Sequence, residues 1–382
     1  MVHEAESVLS ETLLGTSAAK PMLVMGVPFI SSHAKRRDQV VAVDLGIRTT
    51  KAVHVQRRGD KFNLVNFALI DSPEMEKNAT PDVLADHLKN VIRALGCKSR
   101  QVTLALGDAE TVFKQVEVPL MPVSDLRRML KFNAKSYLQQ DYPDHVFDAQ
   151  FEISGLQSGK PGEAAKAVAS GAKQKALVGG IRQKTLNNLQ AAAKAAGLVA
   201  DVVVPGGVGP VNAFELAEPE SFAKEVVALV ELGFKSTAIT VLDCGEIRLN
   251  RVVAIGGERL TSGLAASLGI SYQEAENIKV GMASEVAQDL EPLIQPLGSE
   301  LRASIDFFEN HHDKAVGRVF LSGGSACGEI IVQSLQTELM VPCQTWVPTK
   351  FLELSLPAER AAEVEQNAPK LTVAIGAAAA SF

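Results

Sequence analysis

Two stretches of this chain match one another, and the match restricts the available folds more than any other feature. Val40-Val41-Ala42-Val43-Asp44-Leu45-Gly46-Ile47-Arg48-Thr49-Thr50 and Val227-Ala228-Leu229-Val230-Glu231-Leu232-Gly233-Phe234-Lys235-Ser236-Thr237 each run an apolar segment into a carboxylate, a glycine, and then basic and hydroxyl residues. A further β-rich segment and a turn glycine, Gly59 or Gly245, follow each copy. One unit used twice predicts two strand–loop–strand hairpins, one in each half of the chain. A carboxylate at the tip of a buried strand, a glycine that lets backbone approach a ligand, and hydroxyls that can bond phosphate together suit a nucleotide phosphate tail with its metal. The same residue types also build plain turns, so it is the duplication that points to two halves closing on one ligand.

At 382 residues the chain exceeds one typical core, so two or more subdomains are expected. With 46% hydrophobic and 21% charged residues it has an ordinary globular balance. Its 38 Lys and Arg against 44 Asp and Glu leave a net charge of −6, which gives no general attraction to nucleic acid, and Tyr and Trp are too few to build base-stacking platforms. Cys97, Cys244, Cys327 and Cys343 lie far apart without C-x-x-C spacing, which argues against a structural zinc site or a disulfide framework and suits reduced thiols in the cytoplasm. No run reaches the roughly 18 apolar residues of a membrane span. Any membrane association is therefore expected through a partner.

Along the chain, residues 1–37 show no sustained periodicity and read as a flexible extension ending in Lys35-Arg36-Arg37. Strands are predicted at Gln39–Gln56 (a hairpin), Phe62–Ile70, Val102–Leu106 and Thr111–Val118, with an amphipathic helix over Thr80–Leu95 that has Pro81 in its first turn and Gly96 past its end. Ser124 is the expected cap of a helix reaching Leu138; strands over Val146–Ile153 and Ala164–Ser170 and a helix over Gln183–Ala196 complete an insert. Val199–Val204 resumes an apolar strand, and Gly206-Gly207 open a helix. After the second repeat come helices near 260–268, 271–280, 285–290 and, beyond Pro296, 300–311. Then follow the strand Arg318–Ser322, the turn Gly323-Gly324-Ser325, a helix from Cys327 to Leu339, and a small-residue segment Leu371–Ala380. The expected domains are 38–118 completed by 199–218 and 346–382, an inserted α/β subdomain at 119–198, and a second half at 219–345 with helices over 260–314.

This order of elements resembles the actin/Hsp70/sugar-kinase superfamily. Within it, Ile255-Gly256-Gly257-Glu258-Arg259-Leu260-Thr261 and Gly269-Ile270-Ser271-Tyr272-Gln273-Glu274-Ala275-Glu276-Asn277-Ile278-Lys279 resemble the PilM family of type IV pilus assembly proteins, over residues 38–382. The resemblance implies an α/β, actin-like ATPase fold: two ribonuclease-H-like halves around a nucleotide cleft, plus the α/β insert. It also implies ATP and Mg2+ as cofactors. Asp44 would hold the magnesium shell through water, and Gly46, Ile47, Arg48, Thr49 and Lys51 would form the first phosphate loop. Gly233, Lys235, Ser236 and Thr237 would form the second loop behind Glu231, with Gly256 beside it. Gly323, Gly324 and Ser325 resemble the adenosine motif, while Glu276 and Lys279, three apart on one helical face, resemble the pair that reaches ribose and base.

Two departures bear on chemistry. The usual Asp of the second loop is Glu231, and the strand returning from the insert ends in Val204-Pro205 where hydrolysing relatives place a polar, water-positioning residue. With Asp44 and Glu231 as the catalytic candidates, at most a weak magnesium-dependent ATPase is expected. The implied role is a cytoplasmic ATP-binding scaffold of type IV pilus, or related type II secretion, assembly. Its partner would be the N-terminal cytoplasmic segment of a PilN-like inner-membrane protein held beside the insert, with a pilus motor ATPase and self-association as further candidate contacts. The competing readings are a small-molecule kinase of the same superfamily and a nucleotide-free structural or filament-forming homologue.

Overall fold

The computed structural model describes residues 37–73, 80–119, 121–151, 173–326 and 328–382. All of the expected extension at 1–37 except Arg37, and the expected strand at 164–170, lie outside these residues, as does Cys327.

Each repeat becomes a hairpin followed by a third antiparallel strand. In the first these are β1 (Gln39–Leu45), β2 (Thr49–Arg58) and β3 (Lys61–Asp71); β4 (Gln101–Leu106) and, after the insert, β8 (Val199–Pro205) add in parallel on the other side of β1. In the second repeat β9 (Val226–Leu232), β10 (Thr237–Asp243) and β11 (Glu246–Val253) are completed in parallel by β12 (Arg318–Ser322) and β13 (Cys343–Thr345). The sheet orders are therefore β14-β3-β2-β1-β4-β8 and β11-β10-β9-β12-β13, the same topology twice with β14 (Leu352–Leu354) added to one edge of the first.

Both leading strands are buried on both faces, which is why they read as unbroken apolar runs. Val40 and Ala42 of β1 share a core with Val227 and Leu229 of β9. Val41, Val43 and Leu45 turn to the outer core of the first half, and Ala228, Val230 and Leu232 to that of the second. By the two-residue period of a strand, Asp44 and Glu231 fall on the shared, inward side.

The outer face of the first sheet is covered by α1 (Pro81–Leu95) and α3 (Gln183–Ala195). α1 starts on Thr80, whose hydroxyl accepts the Val83 amide, and ends on Gly96 at φ 60°. Between the halves lie α4 (Val208–Ala217) and α11 (Thr372–Ala379), both mostly apolar and buried along most of their length. After the short α5 (Pro219–Lys224), the second half carries α6 (Gly257–Leu268), α7 (Tyr272–Gly281), α8 (Ala287–His312) and α9 (Glu329–Leu339); α10 (Ala358–Asn367) precedes α11.

The third sheet, β5-β7-β6, is the insert: β5 (Thr111–Pro119), β6 (His145–Phe151) and β7 (Lys173–Arg182), backed by α2 (Val123–Leu138). It begins at Thr111, earlier than the expected boundary at 119, because β5 pairs along its length with β7. It ends before α3, because Leu186, Leu189, Ala192 and Ala193 bury against α1 in the first half. Lys173–Arg182 was not expected as a strand; three basic residues and a Gly-Gly pair hide its apolar centre Ala176-Leu177-Val178. Ser124 does not cap α2, whose cap is Pro122 with no side-chain bond.

Pro292 and Pro296 do not break α8 into the two expected helices. Each proline costs about 3 kcal/mol in a helix interior. The stripe Leu290, Ile294, Leu297, Leu301, Ile305 and Phe308 is buried, and at roughly 1.5–3 kcal/mol per large side chain it outweighs both prolines.

α4 and α11 meet backbone to backbone at Gly209 and Gly376. A Cβ on Gly376 would lie 1.8 Å from the Gly209 carbonyl oxygen. Gly376→Ala should therefore push the two central helices apart and lower the unfolding free energy by about 3 kcal/mol, the upper part of the overpacking range, read as an earlier urea-denaturation midpoint. An unchanged midpoint would show that the helices separate freely.

Candidate functional site

A cavity of about 410 Å³ opens between the halves, within the size range of small-molecule sites. Both repeat loops line it, with Asp44, Gly46, Ile47, Arg48, Thr49 and Lys51 on one side and Glu231, Gly233, Lys235 and Ser236 on the other. The turns are built alike. A Cβ on Gly46 would stand 2.4 Å from the Thr49 carbonyl oxygen, and one on Gly233 would stand 2.7 Å from that of Ser236. Only glycine lets either chain double back so closely, and the fold leaves backbone facing the cavity at both places.

The copies differ in what stands across from the carboxylate. Lys51 is directly opposite Asp44 on β2, whereas Ala238 is opposite Glu231 on β10. One ammonium group thus serves both acids. Lys51 Nζ lies 2.9 Å from Asp44 Oδ2 with most of its side chain buried. Burial opposes its charge, but the attraction and hydrogen bond of Asp44, with Glu231 behind, lift its pKa above the ordinary lysine value. From the sequence alone a strand lysine is more often a solvated face; the structure turns Lys51 inward.

Glu231 is the strained member. Burial pushes its pKa up to about 7; the Ser322 hydroxyl and Lys51 pull the other way, and Asp44 and Asp108 add to the rise. Its carboxylate accepts a hydrogen bond from Ser322, the residue beside it in register on β12. Asp108, just past β4, is a further carboxylate of the cavity, with its pKa pushed up to about 6 by burial and by Asp44, against a hydrogen bond from the Gly207 amide. It was not among the sequence candidates, since Gly107-Asp108 reads as turn punctuation and only the fold brings that turn to the cleft.

The first loop is braced from below. His87 on α1 is bonded to the Thr50 hydroxyl at 2.8 Å, Thr50 to the Ser72 hydroxyl at 2.9 Å, and Ser72 donates to the Gly46 carbonyl at 2.6 Å. Arg48 reaches across the cleft: its guanidinium donates to the Tyr272 hydroxyl at 3.2 Å and lies 5.4 Å from the Phe234 ring centre and 5.6 Å from that of Tyr272, within cation–π range.

At the far end Glu276, Lys279, Gly324 and Ser325 line the cavity together. Lys279 is buried and donates to Glu276 at 2.8 Å and to the Thr261 hydroxyl at 2.7 Å. Burial lowers its pKa despite Glu276. Burial alone would raise the pKa of Glu276, yet hydrogen bonds from Lys279 and Thr261 bring it below its ordinary value. This pair is therefore part of the cavity wall rather than a surface ion pair.

Three expected ligands are absent from the lining and have structural tasks. The Thr237 hydroxyl is fully buried and donates to the Ile255 carbonyl at 2.7 Å. Gly256 packs against the second loop, where a Cβ would meet the Phe234 carbonyl oxygen at 2.4 Å. Gly323, at φ 97°, lies against Leu232 and donates its amide to the Pro369 carbonyl.

Among the described residues no group of three His, Cys, Asp or Glu side chains is close enough to grip a metal ion directly. The donor set fits magnesium held through water and phosphate oxygens, the mode that ion favours.

The folded protein keeps the Glu231 proton up to about pH 7, whereas the unfolded chain releases it near the ordinary value of 4.5. The native state binds the extra proton between those values, so stability falls as pH rises through the window. Glu231→Gln should flatten that slope and exceed wild-type stability by on the order of 2 kcal/mol at about pH 8, measured by urea denaturation. Parallel pH profiles would show that the Glu231 charge costs the fold nothing.

Comparison with known proteins agrees with this architecture. A PilM–PilN type IV pilus biogenesis complex superposes with a TM-score of 0.75 at 21% identity, covering 91% of this chain and 99% of that one. The ethanolamine utilization protein EutJ of Carboxydothermus hydrogenoformans gives 0.52 at 16% identity, covering 92% of each chain. The cell division protein FtsA of Bacillus subtilis (strain 168) is 23% identical over 256 residues, which is 63% of this chain; the chain spans 57% of the length of that curated relative. No helix among the described residues is long and apolar enough to cross a membrane. The family model for the type IV pilus assembly protein PilM matches residues 42–382, and the chain, with its actin-like α/β fold, belongs to that family.

Proposed function

We propose that this protein is a nucleotide-dependent scaffold in type IV pilus assembly. In this reading ATP with magnesium occupies the cleft and sets the relation between the halves, and a partner reads that state at the insert. The supporting observation is the pair of equivalent glycine turns lining one cavity, with Lys51 serving the carboxylates of both. A carboxylate facing a polyphosphate is tolerable only with a cation between them. Asp44 would hold magnesium through water; the loop after Gly46, with Thr49 and Lys51, and the loop after Gly233, with Lys235 and Ser236, would take phosphate oxygens. The nucleoside would lie against Gly324, Ser325, Glu276 and Lys279.

One similar structure is a PilM–PilN complex. The partner proposed here is accordingly the N-terminal cytoplasmic segment of a PilN-like inner-membrane protein, gripped beside the three-stranded insert. That contact would place the protein at the inner face of the membrane. A pilus motor ATPase and self-association are further contacts of the same scaffold.

Titration calorimetry tests the nucleotide part: magnesium-ATP should bind the full chain, and Lys51→Ala should weaken binding by about tenfold, the cost of one charge-assisted contact of about 1.5 kcal/mol. A PilN-like N-terminal peptide should bind more tightly in one nucleotide state than in the other. If the chain binds the peptide but no nucleotide, and Asp44→Ala leaves peptide affinity intact, the protein is a nucleotide-free scaffold.

A further inference from the structure

Hydrolysis of a nucleoside triphosphate needs a group that orients the attacking water and takes its proton, and the strand returning from the insert supplies none. β8 ends in Val204, which is buried, and Pro205, then Gly206 and Gly207. The neighbouring strand end supplies one instead. β4 lies beside β8 with Leu106 opposite Pro205, and the Gly206 amide ties the two ends together by donating to the Leu106 carbonyl at 2.7 Å.

Immediately after Leu106 the chain makes a tight turn, closed by the Glu110 amide on the Gly107 carbonyl at 3.0 Å, and Asp108 stands in it on the cavity wall. Gly207 makes room for its carboxylate: a Cβ there would lie 3.3 Å from Asp108 Oδ1. The glycine that follows the apolar end of β8 is thus the one that admits a side chain from the turn after β4.

Three carboxylates of the cleft, Asp44, Glu231 and Asp108, act on one another electrostatically, and they are not equivalent. Asp44 is held by Lys51 and Glu231 by Ser322. Asp108 takes a backbone amide from Gly207, and among the described residues no lysine, arginine or histidine forms an ion pair with it. Of these three, its carboxylate is the one with no side-chain hydrogen bond or ion pair.

We propose that Asp108 is a catalytic residue, the carboxylate that orients and deprotonates the water attacking the terminal phosphate, so that this chain hydrolyses the nucleotide it binds. The proposal rests on the nucleotide-binding reading above. In the step, the water oxygen forms a bond to the γ-phosphorus while the bond from that phosphorus to the β,γ-bridging oxygen breaks. The bonding electron pair leaves with the β-phosphate, and Asp108 takes the water proton and releases it to solvent. ATP and water become ADP, phosphate and a proton.

The test measures phosphate release from magnesium-ATP, together with calorimetric binding of a non-hydrolysable ATP analogue, for wild type, Asp108→Asn and Asp108→Ala. Wild type is expected to turn over, and both variants to lose at least about a hundredfold in rate, the usual share of a general base, with analogue affinity unchanged. Variants that turn over like wild type overturn the assignment. So does loss of analogue binding in both, which makes Asp108 part of the binding wall. A wild-type protein that binds the analogue but releases no phosphate overturns the proposal while leaving the scaffold reading intact. One that binds neither nucleotide nor analogue overturns both.

Discussion

One ammonium group balances the centre of this molecule. The doubled strand–turn unit brings two acids, Asp44 and Glu231, to the inward ends of two buried strands, and the fold provides a lysine opposite only one of them. Carboxylates in so dry a place either share a cation or keep a proton. Here both happen: Lys51 pairs with Asp44, and Glu231 titrates near neutrality against Ser322. The sheets, the glycine turns and the His87 brace serve to hold this imbalance in place. A polyphosphate with its cation would add charges of both signs to a cleft already arranged around a shared positive one.

Much of this was legible in the residues. Strands buried on both faces declare themselves as unbroken apolar runs, so β1 and β9 could be read directly, and the helix over 81–95 carries its own start and stop in Thr80 and Gly96. Where local signals and tertiary burial disagreed, burial won. Pro292 and Pro296 predict a break, yet the buried stripe of α8 carries the helix through both. Ser124 predicts a cap, but the helix begins one residue before it, at Val123.

The two loops were legible in the sequence, but which of their residues face the cavity was not, for one recurring reason. A glycine or hydroxyl in a phosphate-type loop can face the ligand or the neighbouring backbone, and residue type does not say which. Gly46 and Gly233 line the cavity, while Gly256 and Gly323 let one loop pack on another and Thr237 is spent on Ile255. The opposite error concealed Asp108. Its place depends on β4 and β8 being neighbours although the whole insert and α3 separate them along the chain, and no local pattern contains that pairing.

The contact between Gly209 and Gly376 has a mechanical meaning. Side chains that interdigitate resist rotation, because each knob must leave its hole before the surfaces can turn. Two backbones touching at a pair of glycines have no knobs at that point. Helices α4 and α11 therefore cross at backbone distance, and a side chain added at either glycine would part them: a Cβ on Gly209 would meet the Val373 backbone at 2.7 Å, just as one on Gly376 would meet Gly209.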